Sequence, residues 1–460
     1  MKVLKEEKNL EKSILKKFFK YVSLNVLGMM GTSFYVLIDT FFISKAEGAL
    51  GMAALNFSIP VFCVIQGLGL MIGIGGATRY SILKSQKQDR EANIVFSTCI
   101  KAGIIISFLL VMIGAFASEF LASTLGADMS TLAMTKAYML TILCFAPFFI
   151  LNNIIIAFVR NDSNPKLSMA AMLSGSFSNI ILDYILMFPF GLGMFGAAFA
   201  TCLAQIVSIG VLSIHFIKKK NNFKYVYDKG NKSFISDIFS LGLSSFVNEI
   251  STSAVFIAFN LVILNLKGNL GVASYGIVAN VSIVAISMFI GIAQGVQPLI
   301  SRFYGLGEYK TVRKVLKFSL FTSVIVAAVI YAGIYFNTHD IIRIFNSEQS
   351  AEIAHITESG LKIYFIGFLF AGINIIMSTY LSAMEYAKEG FTISLLRGCV
   401  IIVPLVLLLS RVWGMTGVWS SFVLAECIVT MLVIFMAGFR KKVQIKNKIK
   451  TKSEVKCINA

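Results

Sequence analysis

Charged residues are scarce in this chain. Only 14% of its 460 residues are Asp, Glu, Lys or Arg, whereas 57% are hydrophobic. Soluble domains carry roughly 25% charged and 45–50% apolar residues, so a soluble core could not hide this much apolar surface. The composition excludes a secreted disulfide scaffold, a disordered chain and a soluble nucleic-acid binder, and it predicts a polytopic membrane protein.

Signals for metal binding and for a cleaved leader are also missing. The chain has no C-x-x-C pair, and six of its seven cysteines lie in apolar stretches, which is typical of small buried side chains. Its three histidines are scattered, so we expect no metal site. The start, MKVLKEEKNLEKSILKKFFK, is too long and too acidic for a signal peptide, and we expect it to remain as a cytoplasmic amphipathic segment.

Twelve apolar runs are long enough to cross a bilayer, which takes about 20 residues. Helices are expected because lipid offers no partner for unpaired backbone groups. The sequence therefore predicts an all-α membrane protein with twelve transmembrane helices. They fall near 20–42, 53–78, 94–117, 134–158, 167–188, 193–217, 234–263, 274–300, 315–336, 361–384, 391–410 and 415–438.

Lys and Arg are distributed unevenly between the two sides of these spans. Of the 41, 33 fall in the two terminal segments and in alternate loops, and only 4 fall in the remaining loops. Such a bias marks the cytoplasmic side. It places both termini and the linker 218–233 in the cytoplasm of a multi-pass protein of the cell membrane, and it requires an even number of spans.

The second half of the chain echoes the first at a nearly constant offset. LGMAALNFSIPV from Leu50 resembles LGVASYGIVANV from Leu270, and GMFGAAFAT from Gly193 resembles GMTGVWSS from Gly414. Several matches at one offset indicate duplication. We expect two six-helix lobes related by pseudo-two-fold symmetry, a common transporter plan: an N-lobe over 1–217, the cytoplasmic linker 218–233, and a C-lobe over 234–460.

Three acids lie deep in predicted spans, where charges are costly and usually face a cavity. At a rise of about 1.5 Å per residue, Asp39, Asp183 and Glu249 each lie roughly 24–28 Å along their helices from the cytoplasmic end. This similar depth predicts a shared cavity that opens outward. Structural alternatives remain open for all three: a helix cap for Asp39, an amide partner for Asp183, and a wet cavity wall for Glu249.

Polar residues accompany these acids. Asn179 lies one turn before Asp183 on the same helix face, and Thr201 reaches the same layer. Carboxylate, amide and hydroxyl oxygens suit Na⁺, whereas a desolvated carboxylate suits a proton, so the coupling ion stays open. Asn152 and Asn153 are candidates for the substrate cavity or for hydrogen bonds between helices. Two cations near span ends, Lys136 and Arg397, are expected to extend toward the membrane surface.

Two segments carry a family resemblance. The first is VLIDTFFIS, 36–44, followed by GALGMAALNFSIPV, 48–61; the second is 158–201, with an N-x-x-x-D pair ending at Asp183 and a G-x-x-G-A-A-x-A-T run ending at Thr201. Over about 14–438 the chain resembles the multidrug and toxic compound extrusion (MATE) transporters. The resemblance implies a two-lobe antiporter in membrane lipid, and from the sequence we also expect a monomer that is not an enzyme. It would export drugs or toxic organic cations in exchange for Na⁺ or H⁺ and could thereby confer antibiotic resistance. We expect no other cofactor and no nucleic-acid partner.

The resemblance also implies residue roles. Family members couple transport through an Asp in span one, here Asp39. An Asn and an Asp in span five and a Thr in span six help form a cation site in the N-lobe, which implies that role for Asn179, Asp183 and Thr201. Some relatives use a Glu in span seven, at the place of Glu249, together with an acid in span ten. Span ten offers Asn374 here and has no acid until Glu385, which favours the N-lobe site.

Other functions predict different residues. A lipid-linked polysaccharide flippase of related architecture is the main alternative, and its cavity would be rich in Arg and Lys for pyrophosphate. A membrane-embedded enzyme would need clustered His and Asp or a D-x-D-like pair at the membrane face. A channel would not need duplicated lobes, which favour alternating access.

Overall fold

The computed structural model describes residues 2–227, 232–345 and 350–458, with side chains described for 11–227, 233–345 and 350–436. A 3₁₀ turn at 365–367 joins two helices, and a π-helical segment at 396–400 joins two others. In this part of the chain the α-helices are α1 (Lys2–Ser85), α2 (Asp89–Thr124), α3 (Leu132–Cys144), α4 (Ala146–Asn161), α5 (Pro165–Met187), α6 (Gly193–Ile217), α7 (Lys232–Gly305), α8 (Tyr309–Phe336), α9 (Thr338–Phe345), α10 (Ala351–Tyr364), α11 (Phe368–Ala383), α12 (Ala387–Leu395) and α13 (Ile402–Ile458).

Helix α1 folds back on itself at Gly48. With 84 residues, a straight helix would be about 126 Å long, several times the thickness of a bilayer core. Gly48 has φ 63° and ψ −147°, a conformation that glycine reaches without a steric penalty. Asn25 and Tyr80, on either side of Gly48, both bond to the 160–162 segment: Asn25 accepts from Arg160 and the Tyr80 hydroxyl donates to Asp162, each at 3.0 Å. The two halves of α1 are therefore two neighbouring crossings.

Two other long helices fold back in the same way, α7 at Gly268 and α13 at Gly414. In addition, α3 and α4 form one span bent by 50°. Up to nine helices or bent pairs among the described residues are long and apolar enough to cross a membrane. Because three of them fold back, these residues contain about twelve segments of spanning length. The predicted all-α membrane protein is confirmed, and the exact number of spans stays a prediction.

The two halves of the chain repeat each other in backbone geometry. Residues with positive φ recur at the same nearly constant offset, at the turns between equivalent helices. The pairs are Gly48 with Gly268, Lys87 with Gly307, Ser163 with Glu385, and Gly193 with Gly414. We refer to α1–α6 as the N-lobe and to α7–α13 as the C-lobe. The exact domain boundaries at 217 and 234 stay a prediction.

Each lobe has its own hydrophobic core, but the first helix of each lobe begins against the other one. Ile14 and Phe18, near the start of α1, pack into the core of the C-lobe. Phe234 and Ile238, near the start of α7, pack into the core of the N-lobe. The lobes are therefore interlocked on the side of the membrane where both helices begin, which we call the terminal side.

Glycines let the lobes approach closely on the terminal side. A Cβ atom on Gly291 would lie 2.7 Å from the Cα of Val26, and one on Gly295 would lie 2.9 Å from the Cα of Val22. Gly75 and Gly242 are packed still more tightly, against the backbone carbonyls of Ile238 and Met71. Because backbone meets backbone here, no larger side chain fits, and this side is closed.

A buried arginine completes this closure. Arg160 donates from Nη1 to Asn25 at 3.0 Å and across the lobes to Gln294 at 2.7 Å. Beside it, Asn161 donates to Gln297 at 3.0 Å. From the sequence, Arg160 counts among the loop cations; it is buried instead, and amide oxygens from both lobes accept from its Nη1.

We predict that Gly75→Val and Gly242→Val will each abolish dye export, because a branched side chain would hold the lobes apart on the terminal side. Export would be measured as loss of ethidium from cells, with the membrane level of each variant checked on a blot. Gly210→Ala is the control, since a Cβ there meets nothing within 4 Å. Normal export by both valine variants would contradict this account of closure.

Candidate cation and substrate site

Asp39 on α1 and Asp183 on α5 meet inside the N-lobe. Both side chains are buried, and each carboxyl group lies within interaction range of the other. These are the two acids that the sequence predicts at similar depth on different helices. Two carboxylates this close repel each other unless a cation or proton lies between them.

Asn179 and Thr201 complete the group from α5 and α6. The Asn179 side-chain amide donates to the Thr201 hydroxyl at 3.2 Å, and this hydroxyl donates to the carbonyl of Ala197 at 3.1 Å. Asn179 lies one helical turn from Asp183, on the same face of α5. The structure therefore brings all four predicted cation-site residues together, drawn from three helices.

Several oxygen atoms of this group have no donor. Asp39 Oδ1, Asn179 Oδ1 and both carboxylate oxygens of Asp183 are buried without a hydrogen-bonding partner among the described residues. Buried polar atoms in native proteins are nearly always paired. A hard cation held by oxygen ligands, or a proton shared by the carboxyls, would satisfy these atoms. The described residues contain no group of three or more His, Cys, Asp or Glu side chains placed to hold a metal ion.

Two tyrosines adjoin the acids and were missed from the sequence. Tyr35 on α1 lies within electrostatic range of Asp39, Asp183 and Glu249, and Tyr138 on α3 lies within range of both aspartates. Both rings are buried. Tyr35 is one helical turn before Asp39, a spacing that could have pointed to it. Nothing in the sequence around Tyr138 indicates that α3 packs here.

Glu249 lies apart from the aspartates, between the lobes. Its Cβ atom is 3.4 Å from where a Cβ of Gly67 would be, and Phe246, on the same face of α7, meets that glycine at 2.9 Å. Glu249 is half-buried, and Cys63 and Tyr35 lie within its electrostatic range. The carboxyl group therefore sits at the contact of α7 with the second half of α1, just beyond the tightly closed terminal side.

The two asparagines of α4 occupy different places. Asn153 is half-buried and donates to Gln66 of α1 at 2.6 Å. Asn152 is buried inside the N-lobe, where it donates to Gln205 at 2.7 Å and accepts from Ser208 at 2.8 Å. Asn152 thus makes the hydrogen bonds between helices that the sequence left open as an alternative. A role for either residue in a substrate cavity stays a prediction.

The C-lobe has no copy of the aspartate group. In the register of the repeat, Asp39 and Thr201 correspond to Phe259 and Phe422. Both phenylalanines are buried in the C-lobe core, where their rings pack near Tyr364. Although the backbone is duplicated, the described part of the C-lobe therefore has no equivalent of the Asp39 and Asp183 site.

The C-lobe instead contains an ion pair that was missed from the sequence. Arg397 Nη2 lies 2.6 Å from Glu426 Oε1, and the side chain of Asn374 donates to Glu426 Oε2 at 2.7 Å. The expectation that Arg397 extends to the membrane surface was wrong, because a buried acid on α13 lies within its reach. Glu426 stands alone in an apolar run, and that signal could have identified it.

Known proteins share this architecture. A sequence model of the MatE family matches residues 26–185 and again residues 245–408, which is most of the chain in two similar blocks. The chain belongs to the MatE family. This is a family of membrane transporters, so the predicted resemblance is confirmed, and the alternative of a membrane-embedded enzyme is excluded.

Individual relatives of this MatE family member span nearly its whole length. The multidrug export protein MepA of Staphylococcus saprophyticus is 29% identical over 429 residues, covering 92% of this chain and 94% of the relative. MepA of Staphylococcus aureus is 29% identical over 439 residues, covering 93% and 95%. An outward-facing multidrug resistance MATE transporter of the MOP superfamily superposes with a TM-score of 0.88 at 20% identity, covering 94% and 96%. A MOP superfamily transporter from Pyrococcus furiosus superposes at 0.86 and 20% identity, covering 92% and 95%.

We predict that Thr201→Val will lower the unfolding temperature of the purified protein. The substitution removes the acceptor of the Asn179 amide, and a hydrogen bond between membrane helices contributes about 0.5–2 kcal/mol. Thr201→Ser is the control, because it keeps the hydroxyl. Equal unfolding temperatures for the valine and serine variants would show that the bond does not stabilise the N-lobe.

Proposed function

We propose that this MatE family member is an antiporter that exports bulky, often cationic drug-like compounds in exchange for Na⁺ or H⁺. The relatives that resemble it over nearly their whole length are named as multidrug export proteins. We further propose that it works as a monomer in the cell membrane with both termini in the cytoplasm. The concentration of Lys and Arg on the terminal side supports this orientation.

The unpaired oxygens of Asp39, Asn179 and Asp183 carry the proposal. A cation or proton that enters this group cancels the repulsion between two adjacent carboxylates and satisfies these acceptors. The ion therefore binds best to the state in which these oxygens converge. A ligand shifts a conformational balance only by its different affinities for the two states, so ion binding here can drive the lobes from one arrangement to the other.

The closed terminal side defines one state of this cycle. If that side is cytoplasmic, the structure is the state from which drug leaves outward and the ion enters. The return step must separate Gly75 from Ile238 and break the bond from Arg160 to Gln294. Ion release and drug uptake then follow on the cytoplasmic side.

Glu249 supports the choice of substrate. A half-buried carboxylate between the lobes attracts a cation, and the half-buried ring of Phe246 offers a face for stacking with a flat or quaternary cation. Asn153 adds a neutral polar contact on the N-lobe side. A lipid-linked polysaccharide flippase would need basic side chains for pyrophosphate, whereas the acids here are Asp39, Asp183 and Glu249.

We predict that Asp39→Asn and Asp183→Asn will each reduce ethidium export from cells by at least about tenfold, while membrane insertion stays normal. The loss follows because an amide cannot supply the charge that makes ion binding differ between states, and such coupling is typically worth 5–150-fold. Glu119→Gln, at an exposed acid paired with Lys136, is the control. Full export by both asparagine variants would refute the coupling role.

The coupling ion can be identified separately. Proteoliposomes would be given a Na⁺ gradient alone and then a pH gradient alone, and dye movement would be followed in each. Dye movement should follow one of the two gradients and disappear in the Asp183→Asn variant. Movement that persists in this variant would place coupling elsewhere.

We predict that Glu249→Gln will change the range of exported compounds more than it changes coupling. Export of cationic dyes should fall relative to export of neutral ones, because the attraction to positive charge is lost. The measurement is efflux of paired cationic and neutral compounds of similar size. An equal loss for both classes would instead assign Glu249 to the ion site.

A further inference from the structure

The two lobes contain the same polar arrangement at equivalent positions. In the N-lobe, Asn152 donates to Gln205 at 2.7 Å and accepts from Ser208 at 2.8 Å. In the C-lobe, Asn374 donates to the side chain of Glu426 at 2.7 Å and accepts from Thr430 at 3.0 Å. The two asparagines, and likewise Gln205 and Glu426, are in register in the repeat that the positive-φ turns define. The same polar position therefore occurs in both lobes, with the neutral amide of Gln205 in the N-lobe and the carboxylate of Glu426 in the C-lobe.

The arginine of the C-lobe also has a counterpart. Arg397 is in register with Gly175 in the same repeat. A Cβ on Gly175 would lie 3.2 Å from the carbonyl of Ala204 and 3.4 Å from Ser208. The N-lobe thus has no side chain at the place where the C-lobe has a guanidinium. Where the N-lobe has Gly175 and Gln205, the C-lobe has Arg397 and Glu426. The positive and the negative charge are therefore both present in the C-lobe and both absent at the equivalent positions of the N-lobe.

The Arg397 guanidinium is bound to the Glu426 carboxylate as a cation would be in a binding site. Arg397 donates to Glu426 Oε1 from Nη2 at 2.6 Å and from Nε at 3.1 Å, and Asn374 donates to Oε2. Both oxygens of this buried carboxylate are therefore satisfied from within the C-lobe, whereas both oxygens of Asp183 have no donor among the described residues. The contrast separates a carboxylate that carries its own cation from one that can accept a free ion.

The backbone holds the arginine in this place. Arg397 lies in the π-helical segment 396–400, where the amide of Ile401 donates to the carbonyl of Leu396 at 3.0 Å. Such segments change the direction of the side chains within a helix and often occur at functional sites. Gly398 lies against Ser251 of α7 without room for a side chain, which fixes the segment against the rest of the lobe.

We propose that the Arg397 guanidinium is a tethered cation that permanently occupies a monovalent-cation site in the C-lobe. The ligand of this site is the Glu426 carboxylate, which also accepts from the Asn374 amide, and Thr430 in turn donates to Asn374 Oδ1. Occupation by the chain itself keeps the C-lobe independent of ions and confines coupling to the N-lobe. Only this last consequence rests on the proposed function.

The test removes the tethered cation and asks whether a free one replaces it. Arg397→Met would be made in an Asp39→Asn/Asp183→Asn background, which removes the N-lobe acids. The unfolding temperature of the purified protein would be measured in NaCl against choline chloride at pH 8, and in choline chloride between pH 8 and pH 6. We expect Na⁺ or acid to raise it by about 3 °C or more. The background protein that keeps Arg397 should show a clearly smaller response, because Glu426 is already paired there and only other groups such as Glu249 and the Asp162–His215 pair remain to respond.

The matched control is Arg397→Met/Glu426→Gln in the same background, which restores the neutral composition of the N-lobe site. It should lose the response to Na⁺ and to acid. The same responses in the single and double variants would overturn the proposal, because the effect would then not involve Glu426.

If the Arg397→Met variant does not fold, the proposal is tested with the Arg397→Met/Glu426→Gln variant in the otherwise wild-type protein. We expect it to fold and to export ethidium with the ion dependence of the wild type, because the pair only replaces a neutral arrangement. A folded double variant that exports no dye, or that has a different ion dependence, would overturn the proposal. Failure of the proposed function is a different result, namely unimpaired export by the Asp39→Asn and Asp183→Asn variants.

Discussion

Burying a carboxylate within a membrane protein is costly unless a donor, a cation or a proton accompanies it. This chain meets the constraint in different ways at its buried acids. Glu426 has an arginine and an amide, and Asp162 accepts bonds from Tyr80 and the backbone of Asn222 and lies 2.9 Å from His215. Asp39 and Asp183 have mainly each other. An ion or proton that binds between these two carboxylates relieves their repulsion, and in our proposal this binding drives transport.

The rest of the fold places this pair inside the N-lobe. Duplicated backbone turns at Gly48 and Gly268 give each lobe the same pair of adjacent crossings. Glycines on the terminal side let these crossings pack against each other, backbone to backbone. Such a contact is either made or broken, because a packed interface does not deform gradually. In our proposal, an ion that binds at the N-lobe site selects between two such arrangements of the lobes.

The two lobes share a backbone arrangement but carry different charged and polar residues at equivalent positions. Positions equivalent to Asp39 and Thr201 hold Phe259 and Phe422 in the C-lobe, so ring packing replaces oxygen ligands. The reverse holds at the second polar position, where the N-lobe keeps Gln205 and the C-lobe has the Arg397–Glu426 pair. In our proposal the N-lobe responds to an ion and the C-lobe does not, although both repeat the same pattern of helices.

The sequence by itself determined the all-α membrane fold, the repeat and the family, and it predicted that Asp39, Asn179, Asp183 and Thr201 lie together. It could do so because the cost of exposing backbone and charge to lipid leaves few solutions, and because the motifs are local. Tertiary structure decided which polar groups meet. Tyr138, Arg160, Arg397 and Glu426 gain their roles from helices distant in the chain, and a loop cation such as Arg160 cannot be told from a buried one by its neighbours in sequence. Whether a buried charge is paired depends on packing between helices, and packing is fixed only when the whole chain has folded.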